Sequence, residues 1–313
     1  MPLSALPAQL RSAAYPCIGL WTPPWPWTLL HVAQLIMVEG LPGAGKSTTA
    51  HLITEWLVQQ GLCVGSFPEG RTDHPVDFEQ VAVLADGELD RVIRDFPGVA
   101  DTMRRAAERS GDGWLIRYGD RPEWSGDLRA RLAAFDAYDG EITADRHCAV
   151  LRASWEAFGA WASHDVDVYV FECVLIQNPM CALMARFDQP VERISAHVRA
   201  LVRSVSSLEP VVLYLDPGEP TGALERAAAE RPPEWLDAVV QYHCAQGYGL
   251  ARGLSGFSGY VEFMRERRER ELALLPELGI PVIRVDVAAQ DWNVVRVSVT
   301  GALTTHLSQV STG

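Results

Sequence analysis

The segment Gly40-Leu-Pro-Gly-Ala-Gly-Lys46-Ser47 limits what this chain can become more than any other. Three glycines in so short a run weaken a helix or a strand, so the run reads as a turn. Its flanks say which turn. Leu35-Ile-Met-Val-Glu39 is a short apolar run ending at the first glycine, the pattern of a buried parallel strand. Thr48 to Gln60 carries a helical pattern that stops at Gly61. Strand, glycine-rich turn and helix in that order present a ring of backbone N–H groups backed by the positive end of a helix. The spacing G-x-x-x-x-G-K-S in that context predicts a cradle for the phosphates of a nucleotide.

Composition singles out the same place. The chain has 27 basic residues, and Lys46 is the one lysine among them. A compact ammonium suits a narrow loop where an arginine would bring a wide planar fork. Gly40, Gly43, Ala44, Gly45, Lys46, Ser47 and Thr48 form the expected nucleotide-binding set, with the Ser47 hydroxyl directed to Mg²⁺. The net charge of -13 argues against nucleic acid or an anionic membrane as partner. A small phosphorylated ligand needs only this local positive charge. Six scattered cysteines without a C-x-x-C pair predict free thiols and a cytoplasmic location. Residues 1–34, rich in Trp and Pro, are expected to be a poorly structured extension before a domain spanning 35–313.

Four further apolar runs read as strands. Leu62-Cys-Val-Gly-Ser-Phe67 ends in a polar loop where Glu69 is placed to take a proton from an acceptor hydroxyl, with Asp73, His74 and Asp77 as rivals. Val166 to Val174 closes on Glu172, expected either to organise Mg²⁺ or to act as the base. Gln177-Asn178 follows as a loop able to meet a polar acceptor. Pro210 to Asp216 and Ile280 to Val287 complete a parallel five-stranded sheet with helices on both faces, a three-layer α/β fold. Thr221 to Arg231 reads as a helix carrying Arg226 and Arg231, and a closing helix begins near Asp291.

Taken together, the Gly40–Ser47 loop, Glu69, Glu172 and the run from Leu213-Tyr-Leu-Asp216 through Leu224-Glu-Arg226 to Arg231 resemble the thymidylate-kinase and deoxynucleoside-kinase branch of P-loop kinases. The resemblance covers the five strand regions. It implies a P-loop kinase type of sheet, ATP and Mg²⁺ as cofactors, Glu69 as the base, and Arg226 and Arg231 on a basic helix that closes over the phosphates. The sequence departs from that branch at Phe171-Glu172-Cys173, where no arginine follows the acid, and at the loop after strand two, which keeps only Arg71. These departures favour a general hydroxyl acceptor, nucleoside-like, sugar-like or an antibiotic, over a nucleoside monophosphate.

Residues 78–165 are too long for a plain connection and are expected to form a helical insertion between strands two and three, on the acceptor side, with helices near 87–95, 98–110 and 148–162. Arg71, His74, Asp77, Arg117, Tyr118, Gln177 and Asn178 are the acceptor-binding candidates. The glycine-rich stretch 246–259 is expected to be a mobile lid with Arg252 facing phosphate. The alternating charges of Arg265 to Arg270 predict a solvated helix face. A conventional GTPase would need a second lysine in its guanine-reading motif, and none exists. The expected activity is therefore transfer of the γ-phosphoryl group of ATP to a small-molecule hydroxyl. The alternative is a P-loop ATPase or nucleotide-binding switch acting through a protein partner.

Overall fold

The computed structural model describes residues 34–111, 113–162 and 167–310. The expectation of a poorly structured extension therefore falls outside the described residues, apart from Gln34. The strands are β1 (Gln34–Gly40), β2 (Val64–Phe67), β3 (Val81–Ala85), β4 (Glu108–Ser110), β5 (Gly113–Arg117), β6 (Val168–Glu172), β7 (Val211–Asp216) and β8 (Val282–Asp286). The helices are α1 (Lys46–Gln59), α2 (Asp86–Asp95), α3 (Ala100–Ala106), α4 (Gly126–Ala133), α5 (Ala144–Trp161), α6 (Gln177–Pro179) and α7 (Val191–Ser204). They continue as α8 (Thr221–Glu230), α9 (Pro233–Cys244), α10 (Gly247–Ala251), α11 (Gly256–Leu274) and α12 (Trp292–Val310). Contacts divide the described residues into two compact units, one within 34–69 and 159–310 and one within 70–158.

The first unit is an α/β structure around a five-stranded sheet in the order β2-β6-β1-β7-β8, with every neighbouring pair parallel. All seven residues of β1 are buried, which is why its sequence reads as a continuous apolar run instead of an alternating one. Ile36 and Val38 of β1, with Val168, Val170, Leu213 and Leu215, point to the face covered by Ile53 and Leu57 of α1 and by Val299 and Leu303 of α12. Tyr214 points the other way, and its hydroxyl reaches Glu271 on α11. The chain leaves β1 towards β2 at one edge, and leaves β7 towards β8 at the other. The reversal places a crevice at the carboxyl ends of β1 and β7, where ligands of open α/β sheets bind.

The second unit corrects the expectation of a helical insertion. Residues 70–158 contain a three-stranded antiparallel sheet, β3-β5-β4, beside their helices. Ala82 and Leu84 of β3 join Val92, Met103 and Leu128 in one cluster, while Val81 and Val83 join Phe78, Leu115 and Leu151 in another. Both faces of β3 are thus buried, so its sequence shows no polar alternation to announce a strand. The helix expected over 98–110 ends at Ala106, and Glu108–Ser110 pairs with β5.

In the first unit, the stretch 246–259, expected to be a mobile segment, contains α10 and the start of α11. The Arg265 to Arg270 cluster is not a uniformly solvated face. Arg267 is 1% exposed, its Nε donates to the fully buried Glu271 at 2.6 Å, and Glu271 also accepts the Tyr214 hydroxyl at 2.7 Å. Arg268 donates twice to Asp216 at the end of β7, at 2.7 and 2.9 Å. Cys173, Cys181 and Cys244 are free thiols as expected, whereas Cys63 is disulfide-bonded. No helix among the described residues is long and apolar enough to cross a membrane.

Removing one member of a buried ion pair strands the other charge away from water. Glu271→Ala is expected to lower unfolding stability by ~3–5 kcal/mol in urea denaturation. Glu266→Ala, which breaks the half-exposed pair with Arg270, is expected to cost less than ~1 kcal/mol.

Candidate functional site

The loop between β1 and α1 sits where the crevice predicts. Gly43 and Gly45 have φ of +78° and +82°, a region that disfavours side chains. Close packing adds a second reason. A Cβ on Gly43 would lie 2.4 Å from the Ala223 carbonyl oxygen, and one on Gly45 would lie 1.9 Å from the Trp292 ring. Lys46 is buried, and its Nζ donates to the Leu41 carbonyl at 3.0 Å, back across the loop it closes.

Ser47 starts a chain of hydrogen bonds through the acids. Its Oγ donates to Glu172 Oε1 at 2.5 Å. The other oxygen of Glu172 accepts the Glu69 backbone N–H at 3.3 Å. The Glu69 carboxylate in turn accepts Gln177 Nε2 at 2.5 Å and the Cys173 thiol at 3.3 Å. Glu69, Glu172, Lys46 and Ser47 line one pocket of about 260 Å³, together with Arg231 and Trp292. Glu172 is 1% exposed, yet both its oxygens are partnered, so its burial leaves no unmet acceptor.

Glu39, just before the loop, is a site residue that sequence reading overlooked. It is fully buried and accepts the backbone N–H groups of Leu175 at 2.7 Å and Gln177 at 3.0 Å. Burial pushes its carboxyl up to about 7, outweighing those two hydrogen bonds. It thereby holds the turn after β6, the turn that delivers Gln177 to Glu69. Cys173 lies on the same turn at φ +70°, and burial raises its thiol well above the ordinary value. The available signals were an acid in an otherwise apolar strand and a cysteine directly after the strand-end acid. Trp292 gave no signal, because nothing local says which residue will cap a distant loop.

The remaining sequence candidates divide. Thr48 lines the pocket, while the Ala44 N–H is used inside the loop, donating to Leu41 at 3.2 Å. Arg231 lines the pocket and lies over Trp235, 4.5 Å from the ring centroid. Arg226 is not among the pocket residues. Arg252 does not face the loop: it pairs with Asp188 at 3.0 Å and lies over Tyr248. Asn178 donates its backbone N–H to Cys173.

Within the second unit, Arg71 pairs with Asp73. His74 is buried, and its Nδ1 accepts the N–H groups of Val76 and Asp77, both at 3.1 Å. Burial, with Arg117 and Arg71 nearby, holds this imidazole well below its usual range and therefore neutral. Asp77 accepts the Glu79 N–H at 3.4 Å. Arg117 donates to the carbonyls of Thr72 and His74, at 2.8 and 3.2 Å. Tyr118 donates to Asp136 at 2.7 Å. In the described geometry these side chains shape their own loop and strand ends.

The first-unit pocket thus combines a glycine-rich loop, one ammonium, one guanidinium, a hydroxyl paired with a buried acid, and two exposed carboxylates, Glu69 and Glu230. It can hold a polyanion and offer a base beside it. No protein-family model and no curated protein matches this chain.

A carboxyl whose pKa is higher in the folded than in the unfolded chain loses stability as pH rises between the two values. Glu39, at about 7 against an ordinary 4.5, is expected to lower stability across that window and to have no further effect above it. The slope is about 1.4 kcal/mol per pH unit. Urea denaturation at pH 5, 6, 7 and 8 should show this contribution in the wild type up to about pH 7 and its end by pH 8. The Glu39→Gln chain should lack it, and the difference between the two curves isolates this group.

Proposed function

We propose that the protein is an ATP- and Mg²⁺-dependent phosphotransferase that moves the γ-phosphoryl group to a hydroxyl of a small molecule. The observation that carries this reading is the hydrogen-bonded run Ser47–Glu172–Glu69 beside Lys46, all lining one pocket at the mouth of a strand–loop–helix cradle. The five-stranded parallel sheet is compatible with the P-loop kinase type that the sequence resembles.

Each residue has a task in this reading. The loop N–H groups and Lys46 bind the β- and γ-phosphates, with Lys46 giving up its bond to the Leu41 carbonyl for the stronger one to phosphate. Ser47 and Glu172 offer two hard oxygens now joined by a hydrogen bond, and opening that bond to about 2.9 Å would let both reach one Mg²⁺. That ion supplies neutralisation of phosphate charge when bound. Arg231 faces the transferring group and meets charge that builds on its oxygens. Glu69 takes the proton of the acceptor hydroxyl, held for that task by Gln177 and Cys173. Trp292, packed on Gly45, walls one side of the pocket. Catalysis is then mostly positioning and charge stabilisation.

The second reading is an ATPase or nucleotide switch working through a protein partner. One observation favours it: residues 70–158 form a compact unit with its own apolar clusters, of a kind that can serve as an interaction module.

Calorimetry with ATP and magnesium is expected to show binding by the wild type and a loss of about 10²-fold or more in Lys46→Ala. An absence of ATP binding in the wild type overturns both readings. ATP consumption measured with and without a panel of nucleosides, sugars and aminoglycoside-like alcohols separates them. Turnover that depends on an acceptor, with an added phosphate seen by mass spectrometry, is the transferase outcome. Turnover without any acceptor is the switch outcome. Glu69→Gln is expected to cut kcat by roughly 10²–10⁴-fold with little change in ATP affinity. If Glu172→Gln behaves that way instead, the base and metal roles are exchanged.

A further inference from the structure

The donors around Glu69 do not belong only to hard-cation chemistry. One oxygen of Glu69, one of Glu172 and the sulfur of Cys173 all lie within 4.8 Å of one another. The Cys173 sulfur is 3.3 Å from Glu69 Oε2. Ligands bound to one zinc-sized ion at its usual bond lengths stand roughly 3.3–3.8 Å apart, so small side-chain shifts complete a first shell. Two features supply these donors to one point. Glu172 ends β6, and Cys173 immediately after it turns at φ +70°, which takes its side chain off the alternation of the strand.

A second observation points to a ligand at the same place. Gln177 is 8% exposed, and its Nε2 contacts Glu69 Oε1, yet Oε1 of that amide is buried with no partner. A buried amide oxygen without a donor is costly and calls for a missing group. Water bound to a cation held by Glu69 would supply that donor, as metal-bound waters commonly do for residues behind the first shell.

We propose that Glu69, Glu172 and Cys173 form a binding site for a thiophilic divalent cation of the zinc, cobalt and cadmium class. Thiolate is a poor ligand for Mg²⁺ and a good one for these ions, so the buried Cys173 sulfur behind the two carboxylates can discriminate between them. Binding converts the Cys173 thiol to a metal-bound thiolate and releases its proton to solvent. It also removes Glu69 from its bond with that thiol and engages the partner of Ser47. Within the phosphotransferase reading such a cation opposes the Mg²⁺–ATP state, which makes the site inhibitory. The site itself does not depend on that reading, because its residues are assembled without a nucleotide.

The test uses the full chain without nucleotide. Titration with Co²⁺ is expected to raise a sulfur-to-cobalt charge-transfer band in the near ultraviolet, reaching a plateau at one equivalent. Calorimetry is expected to give Cd²⁺ an affinity at least 10²-fold above that for Mg²⁺. In Cys173→Ser the band should vanish, and Cd²⁺ affinity should fall at least tenfold while Mg²⁺ affinity stays within about threefold. Because Cys173 is buried in a constrained turn, Glu69→Gln on the exposed rim gives a second variant, and it too should lose Cd²⁺ affinity at least tenfold. No band in the wild type overturns the proposal. So does a band that persists in Cys173→Ser, which would place the cobalt on another cysteine, and so does equal affinity for Cd²⁺ and Mg²⁺. A wild type that binds cobalt through Cys173 but not ATP would leave this site standing and remove the phosphotransferase reading.

Discussion

The Glu172 carboxylate ties the site together. It is buried at the end of β6, where an unpartnered charge would be expensive, and it meets that constraint by taking one hydrogen bond from Ser47 and one from the backbone of Glu69. Those two bonds join the first turn of α1, the end of the chain leaving β2, and the central sheet. The glycine-rich loop and the rim carboxylate therefore have one common anchor. Remove that anchor and Glu69 loses the backbone contact that places it beside the loop.

Behind this anchor lies a second polar layer on the opposite face of the sheet from α1. Glu39 holds the turn after β6, while Arg267, Glu271 and Tyr214 form a hydrogen-bonded group between α11 and β7. Buried charges of this kind seldom add net stability over apolar packing of the same volume. Their use here is geometric. Glu39 determines where Leu175 and Gln177 stand, and Gln177 determines where the Glu69 carboxylate points. The same arrangement explains why Cys173 is close enough to share a ligand with two acids.

Particular residues show how much of this was legible. Leu35 to Glu39 and Gly40 to Ser47 announced themselves, because a buried strand and a tight glycine turn each leave a local pattern. The five parallel strands were found for the same reason. The antiparallel sheet of residues 70–158 was not, since β3 is apolar on both faces and a short apolar run has no period to read. Arg267 and Arg252 misled in another way. Alternating charge looks alike on a solvated helix and on one that buries a single ion pair. A basic residue in a glycine-rich stretch looks alike whether it meets a phosphate or Asp188.

By itself, the sequence determined the local chemistry: a glycine loop with one ammonium and one hydroxyl, and acids at the ends of two strands. Those features depend on neighbours along the chain, so they survive without knowledge of the fold. The tertiary structure alone decided which groups meet. Ser47 and Glu172 are 125 residues apart in sequence, and Glu69 and Gln177 are 108 apart. Their contacts follow from β1 lying between β6 and β7 and from β2 pairing with β6. Strand order of that kind is the outcome of packing the whole sheet, and no short segment encodes it.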